Sequence, residues 1–306
     1  QHLPVRSLDA KLVFLQGQWT VESLAATGAG GHMQAQGQLN SAASRPANAA
    51  AIAASKPGWQ GSATLNGINP AELDSRLAAT RLDGQLSAQQ APSGITFEAS
   101  IQSARPASTG PQPTAAAAGV IDKLRIKAIH AQGIWTAPTL QLDTLQVETD
   151  TAKLQGQLKF DTHSQAAQGH LALTLPGAQA TLAGSIASTE GQGELSLRVS
   201  DPTLAAHWLA QLPGGPQGLG RTALQGNAEF TGGWQGGWGQ QGRQLKIQAS
   251  LHAPQLTLRA ADQPADQAWT MRELQANLGG TLAALDLTVQ GQMAHSSRRF
   301  ALQAQL

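Results

Sequence analysis

The chain has no cysteine and no tyrosine, and of its 306 residues only 13% are charged and 4% aromatic. Without cysteine there is no disulfide framework, no thiolate metal ligand and no thiol nucleophile. An ordinary soluble domain carries roughly 25% charged residues, so the polar surface here is written in Gln, Ser and Thr instead. Twenty basic and nineteen acidic side chains leave a net charge of +1. No run of like charge occurs, so a nucleic acid finds no electrostatic footprint. There is no stretch of eighteen apolar residues and no basic segment leading into an apolar one, which leaves no spanning helix and no export signal within this sequence. Scarce aromatics also argue against a membrane barrel, whose strands end in aromatic girdles.

Reactive constellations are missing too. The eight histidines, at positions 2, 32, 130, 163, 170, 207, 252 and 295, form no His-Glu-x-x-His pair and have no close carboxylate companions. Gly28-Ala29-Gly30-Gly31 and Gly218-Leu219-Gly220 resemble pieces of a phosphate loop, but no Gly-Lys-Ser/Thr follows and neither leads into a long helix; they read as turns. No Gly-x-Ser-x-Gly elbow occurs, and acids are scattered singly along polar faces. The expectation is a non-enzymatic protein with no metal and no cofactor.

What the sequence has in abundance is alternation. In Ala152-Lys-Leu-Gln-Gly-Gln-Leu-Lys-Phe160, side chains Leu154, Leu158 and Phe160 fall on one side of an extended chain and Lys153, Gln155, Gln157 and Lys159 on the other. A period of two marks a half-buried strand. The same phase recurs at Leu171, Leu173 and Leu175; at Leu195, Leu197 and Val199; at Leu245, Ile247 and Leu251; and at Leu285, Leu287, Val289 and Met293. Apolar in, polar out is the antiparallel signature. About eighteen such segments follow one another across short turns such as Asp161-Thr-His-Ser164 and Ser188-Thr-Glu-Gly191, hairpin after hairpin.

Within the strands an apolar, any, Gly, any, apolar pattern returns around Gly37, Gly84, Gly156, Gly184, Gly226 and Gly291, with the glycine on the apolar face each time. Repeated at one place per strand, it would let a wide sheet curl. Two segments interrupt the strands. Asn69-Pro70-Ala-Glu-Leu73 and Asp201-Pro202 through Leu212 each join an N-cap residue to proline at the first helical position, which predicts two short helices. The Ala/Pro-rich stretches 41–57 and 103–119 read as insertions at strand turns, because the strand pattern resumes after each; residues 1–306 therefore read as one repetitive region. Since Arg299 to Leu306 stops inside the alternation, it also reads as a fragment of a longer chain. Of the seven tryptophans, Trp19, Trp59 and Trp135 are placed to pack at the rim as strands open. Trp234 and Trp238, in a glycine-rich loop, are better placed to touch a partner or a membrane surface.

Two short helices cannot cover so much apolar face. A closed barrel, a two-layer sandwich and a long sheet folded lengthwise into a trough remain. A sandwich would be filled with larger and more aromatic residues than these Leu, Ala and Gly faces supply. The expected fold is therefore all-β, a long antiparallel sheet folded into a trough with two short helices, and at ~4.8 Å per strand it would run ~85 Å. Its lining would be Leu82, Leu86, Leu154, Leu158, Phe160, Leu171, Leu173, Leu175, Leu182, Ile186, Leu195, Leu197, Val199, Leu224, Leu245, Ile247, Leu285, Leu287 and Val289. Each such side chain contributes about 1.5–3 kcal/mol when fully removed from water, so an open trough calls for an apolar guest such as an acyl chain.

Trp59-Gln-Gly, Leu65-Asn-Gly-Ile-Asn69-Pro70 and Leu82-Asp-Gly84-Gln-Leu86 resemble the repeating unit of the TamB family, within the AsmA-like group of bacterial envelope proteins; the unit recurs in part from Leu195 through Asp201-Pro202 to Leu224-Gln-Gly226. That resemblance implies a periplasmic β-groove tethered to the inner membrane through a segment not present here, with membranes contacted by parts outside this sequence. It implies phospholipid acyl chains as cargo and an outer-membrane barrel of the TamA type as a partner. The expected function is then a non-enzymatic segment of a bridge conducting phospholipid between inner and outer membranes, or assisting outer-membrane protein assembly. The alternative from another class is a structural or adhesive secreted β-repeat protein with a closed core.

Overall fold

A computed structural model of the chain describes residues 5–15, 18–28, 30–40, 58–69, 72, 81–103, 126–210, 222–239, 242–260, 267–295 and 298–305. Both proposed insertions fall outside these residues apart from Ser103 and Gly58 at their borders. So does the first expected helix, except for Glu72, whose amide donates to the Asn69 carbonyl at 3.1 Å.

The fold is all-β, with every registered strand pair antiparallel. The described residues form seventeen strands and one helix, and the chain divides into two compact units, 1–150 and 151–306. The first unit holds Val5–Leu15 (β1), Gln18–Gly28 (β2), Gly31–Asn40 (β3), Trp59–Ile68 (β4), Leu82–Ala91 (β5), Gly94–Ser103 (β6), Ile126–Thr136 (β7) and Thr139–Thr149 (β8). The second holds Lys153–Asp161 (β9), Ala167–Leu175 (β10), Ala178–Ile186 (β11), Gly191–Val199 (β12), the helix Pro202–Ala210 (α1), Thr222–Gln235 (β13), Lys246–Ala260 (β14), Trp269–Thr281 (β15), Ala284–His295 (β16) and Arg298–Gln305 (β17).

Within each unit every strand pairs with its sequence neighbours, β1 through β8 and β9 through β17. Nine of the fifteen connections within the units have two to five residues and return the chain beside the strand it has just left; the other six are longer. At the β9–β10 turn, the Asp161 carboxylate accepts from the amides of His163 at 3.0 Å and Ser164 at 2.7 Å, an Asx turn. Among the described residues no pairing joins β1 to β8 or β9 to β17, so neither unit closes into a barrel.

Helix α1 starts as its sequence dictates. Asp201 caps it, its carboxylate accepting from the Leu204 amide at 3.0 Å, and Pro202 takes the first turn. The helix buries Pro202, Ala205 and Ala206, and Ala205 packs with Leu175 and Ala178 in a small core flanked by Leu173, Leu197, Val199 and Trp208. Three bonds hold it down: the Thr203 hydroxyl donates to the Leu224 carbonyl of β13 and accepts from the Leu224 amide, and the Trp208 indole donates to the Thr151 hydroxyl at 3.1 Å.

Candidate functional site

The registers establish which residues share a face. Directly opposed residues of antiparallel strands point the same way, so a rung can be followed from strand to strand. In the second unit one rung reads Leu154, Leu173, Ala180, Leu197, Phe230, Leu251, Ala276 and Val289. The next reads Gly156, Leu171, Leu182, Leu195, Gly232, Ala249, Leu278 and Leu287. The following one reads Leu158, Gly169, Gly184, Gly193, Trp234, Ile247, Gly280 and Leu285. Phe160 opposes Ala167, which opposes Ile186, on the same face. At the other end Leu175 opposes Ala178, which opposes Val199, while Leu224 opposes Leu258. Leu245 lies one residue before β14, in phase with Ile247. In the first unit Leu86 joins Ala63, Ala99, Ala131 and Leu145, and Leu82 opposes Ile68. The expected lining residues thus share the apolar face of their own unit.

That face is half-buried, not sealed. Besides Pro202 and a few glycines, the buried residues among those described are Leu175, Ala178, Ala205, Ala206 and Ala253, and none of the large side chains is completely enclosed. Leu182, Ile186 and Leu285 are exposed, at 37%, 38% and 42%. A sealed sandwich core would hold such residues near zero.

The repeated glycines lie on the apolar face but not on one rung, so they form short lanes instead of the single crease expected. Gly37 opposes Gly61 in the first unit; Gly169, Gly184 and Gly193 line up across β10, β11 and β12 in the second. Trp234 is laid into this second lane. A Cβ on Gly193 would fall 2.1 Å from its Cζ2, and its indole donates across β12 to the Ser185 carbonyl of β11 at 3.0 Å. The sequence suggested a loop here with Trp234 free to meet a partner. Instead β13 runs on through Gln235, and strand pairing turns the ring onto the glycines. Its signal was three glycines in neighbouring strands, visible only once the register is known. Trp238, beyond the strand, is 43% exposed.

Distinct hollows lie on the opposite, polar face. In the first unit one of about 810 Å³ spans β2 to β8 and is bordered by Gln36, Gln60, Gln89, Glu98 and Gln132. In the second, one of about 750 Å³ spans β11 to β16 and is bordered by Thr181, Glu194, Gln248, Asn277 and Asp286. Of the expected lining residues, Leu195 borders the second of these hollows. The right-handed twist of a wide antiparallel sheet makes each face concave in one direction, and alternation in sequence carries no information on that curvature.

Charge stays on the surface. No polar or charged residue among those described is buried. Lys11 meets the Glu22 carboxylate at 2.5 Å, and that hydrogen-bonded partner holds the ammonium above the ordinary lysine range. The pair's contribution is present below the ordinary lysine pKa and fades as pH rises through the raised one. Arg198 bonds Glu229 at 3.0 Å and Lys127 meets Asp150 at 3.6 Å, both in the open. Among the described residues no group of three His, Asp or Glu side chains is placed to hold a metal ion, and no helix is long and apolar enough to cross a membrane.

No protein-family model matches this chain, and neither does any curated protein or solved structure.

Proposed function

We propose that the apolar face binds the acyl chains of phospholipid, making the protein a non-enzymatic segment of a periplasmic bridge that passes lipid between inner and outer membranes. One observation carries this reading: a rung of Leu, Ala, Val and Phe runs unbroken across eight strands of the second unit, flanked by rungs of Leu, Ala, Ile, Trp and Gly, on a face that remains half-exposed. So wide an apolar surface left open to water is costly and marks a place of contact. Its uniform lining, free of charge, offers a guest many similar positions and no deep pocket, which suits movement better than storage.

A second reading, assistance to outer-membrane barrel assembly with a partner of the TamA type, draws on β1. This edge strand leaves Val5, Leu8 and Leu12 exposed at 56%, 66% and 56%, a template on which an incoming strand can pair.

Solvent extraction and mass spectrometry of the purified protein test the lipid reading. Phospholipid should accompany the wild type, fall several-fold in Leu158→Arg, which places a charge on the apolar face, and persist in Gln157→Arg on the polar face. A wild type free of lipid would favour a structural or adhesive role.

A further inference from the structure

Three of the seven tryptophans occupy a single rung in the first unit. Phe14 opposes Trp19, Trp19 opposes Leu39, and Leu39 opposes Trp59; further on, Ile95 opposes Trp135, which opposes Leu140. Trp19 and Trp59 stand at the start of their strands and Trp135 near the end of its own. Antiparallel order therefore brings all three to the same rim. At ~4.8 Å per strand the row from β1 to β8 is about 34 Å long. Its β1–β3 end is open to solvent, with Phe14 53% exposed, Trp19 46% and Leu39 48% and the first two rings touching at 4.9 Å, while Trp59 and Trp135 are half-buried.

Charge separates this rim from the other. The turns joining β5 to β6, Ala91-Pro92-Ser93-Gly94, and β7 to β8, Thr136-Ala137-Pro138-Thr139, contain no ionisable residue, and the Thr136 hydroxyl ties them together by donating to the Ser93 carbonyl at 2.5 Å. No described residue of the Trp rim is charged. The opposite strand ends carry Arg6, Arg81, Asp83, Lys127, Glu148 and Asp150.

We infer that this rim docks on a phospholipid bilayer, seating its tryptophans at the level of the headgroups. Indole rings prefer that boundary because one edge is apolar and the other donates a hydrogen bond. Asp and Glu, which anionic headgroups repel, are missing from its described residues. A protein pocket would be matched by a compact cluster, whereas a row spread along a rim suits a surface. This inference goes beyond lipid carriage by the apolar face and does not require it.

Flotation of the full chain with extruded phosphatidylcholine vesicles, with and without phosphatidylglycerol, provides the test. The wild type should float with both. The triple variant Trp19→Gln, Trp59→Gln, Trp135→Gln should lose binding at least tenfold, while Arg81→Gln with Lys127→Gln at the far rim keeps it. Should the triple variant fail to fold by circular dichroism, phosphatidylcholine brominated on its acyl chains decides: it should quench wild-type tryptophan emission, and less of it in the single variant Trp19→Gln. The inference is overturned if the wild type stays with the unbound protein, if the folded triple variant floats unchanged, if brominated lipid leaves emission intact, or if the rim instead joins two copies in a dimer that Trp19→Gln dissociates. Because the readout is whole vesicles, it stays separate from single-lipid extraction, and either result can fail alone.

Discussion

The two units are built from similar strands and turns, yet Trp19 of the first stands 46% exposed at a strand end while Trp234 of the second lies half-buried over glycine. The first sends Trp19, Trp59 and Trp135 to a rim and leaves the Gly37 and Gly61 pair uncovered by any ring. The second draws Trp234 inward, over Gly193, and adds a helix whose alanines complete a small core with Leu175 and Ala178. Glycine on an apolar face therefore has two uses here. Opposite another glycine it leaves backbone accessible; beneath an indole it makes room for packing that bridges three strands. The comparison teaches that alternation decides which side of a strand is apolar, while the placement of a few large rings decides how much of that side stays open.

The contrast is sharpest at the glycines themselves. Gly193→Val drives a branched side chain into the space of the Trp234 ring and should cost about 2–4 kcal/mol. By contrast Gly61→Ala, whose Cβ would meet only the Gln36 carbonyl at 3.4 Å, should stay within about 0.5 kcal/mol of the wild type. Urea unfolding followed by far-UV circular dichroism measures both. Equal costs would break the comparison, because the second lane would then be no tighter than the first.

A smaller difference is expected at the rings. Trp234→Ala gives up a half-buried indole and its bond to the Ser185 carbonyl, and should lose about 2 kcal/mol. Trp19→Ala, already 46% exposed, should lose less than about 1 kcal/mol. The same unfolding curves report both values, and a Trp19 variant weaker than the Trp234 variant would reverse the assignment of roles.

Much of the fold was legible before any coordinates. Alternation at Leu154, Leu158 and Phe160 marks β9 and the face it buries, and Asp201-Pro202 marks the start of α1, because both signals are local: a period of two, and a carboxylate beside an amide three residues on. Turns such as Asp161 to Ser164 were equally plain. What stayed hidden is non-local. The lane of Gly169, Gly184 and Gly193 exists only through register, Trp234 looked like loop because two glycines precede it, and Trp135 looked like the opening of a strand when it stands near the end of β7. The hollows on the polar face arise from twist accumulated over six or seven strands, which no single strand encodes.

The lipid-carrying face is tested most directly by contact mapping. A photo-crosslinking residue placed at Leu158 or Leu287 should form adducts with phospholipid on illumination, whereas the same probe at Gln157 or Thr288, on the polar side, should form none. Adducts from both sides alike, or from neither, would contradict the account.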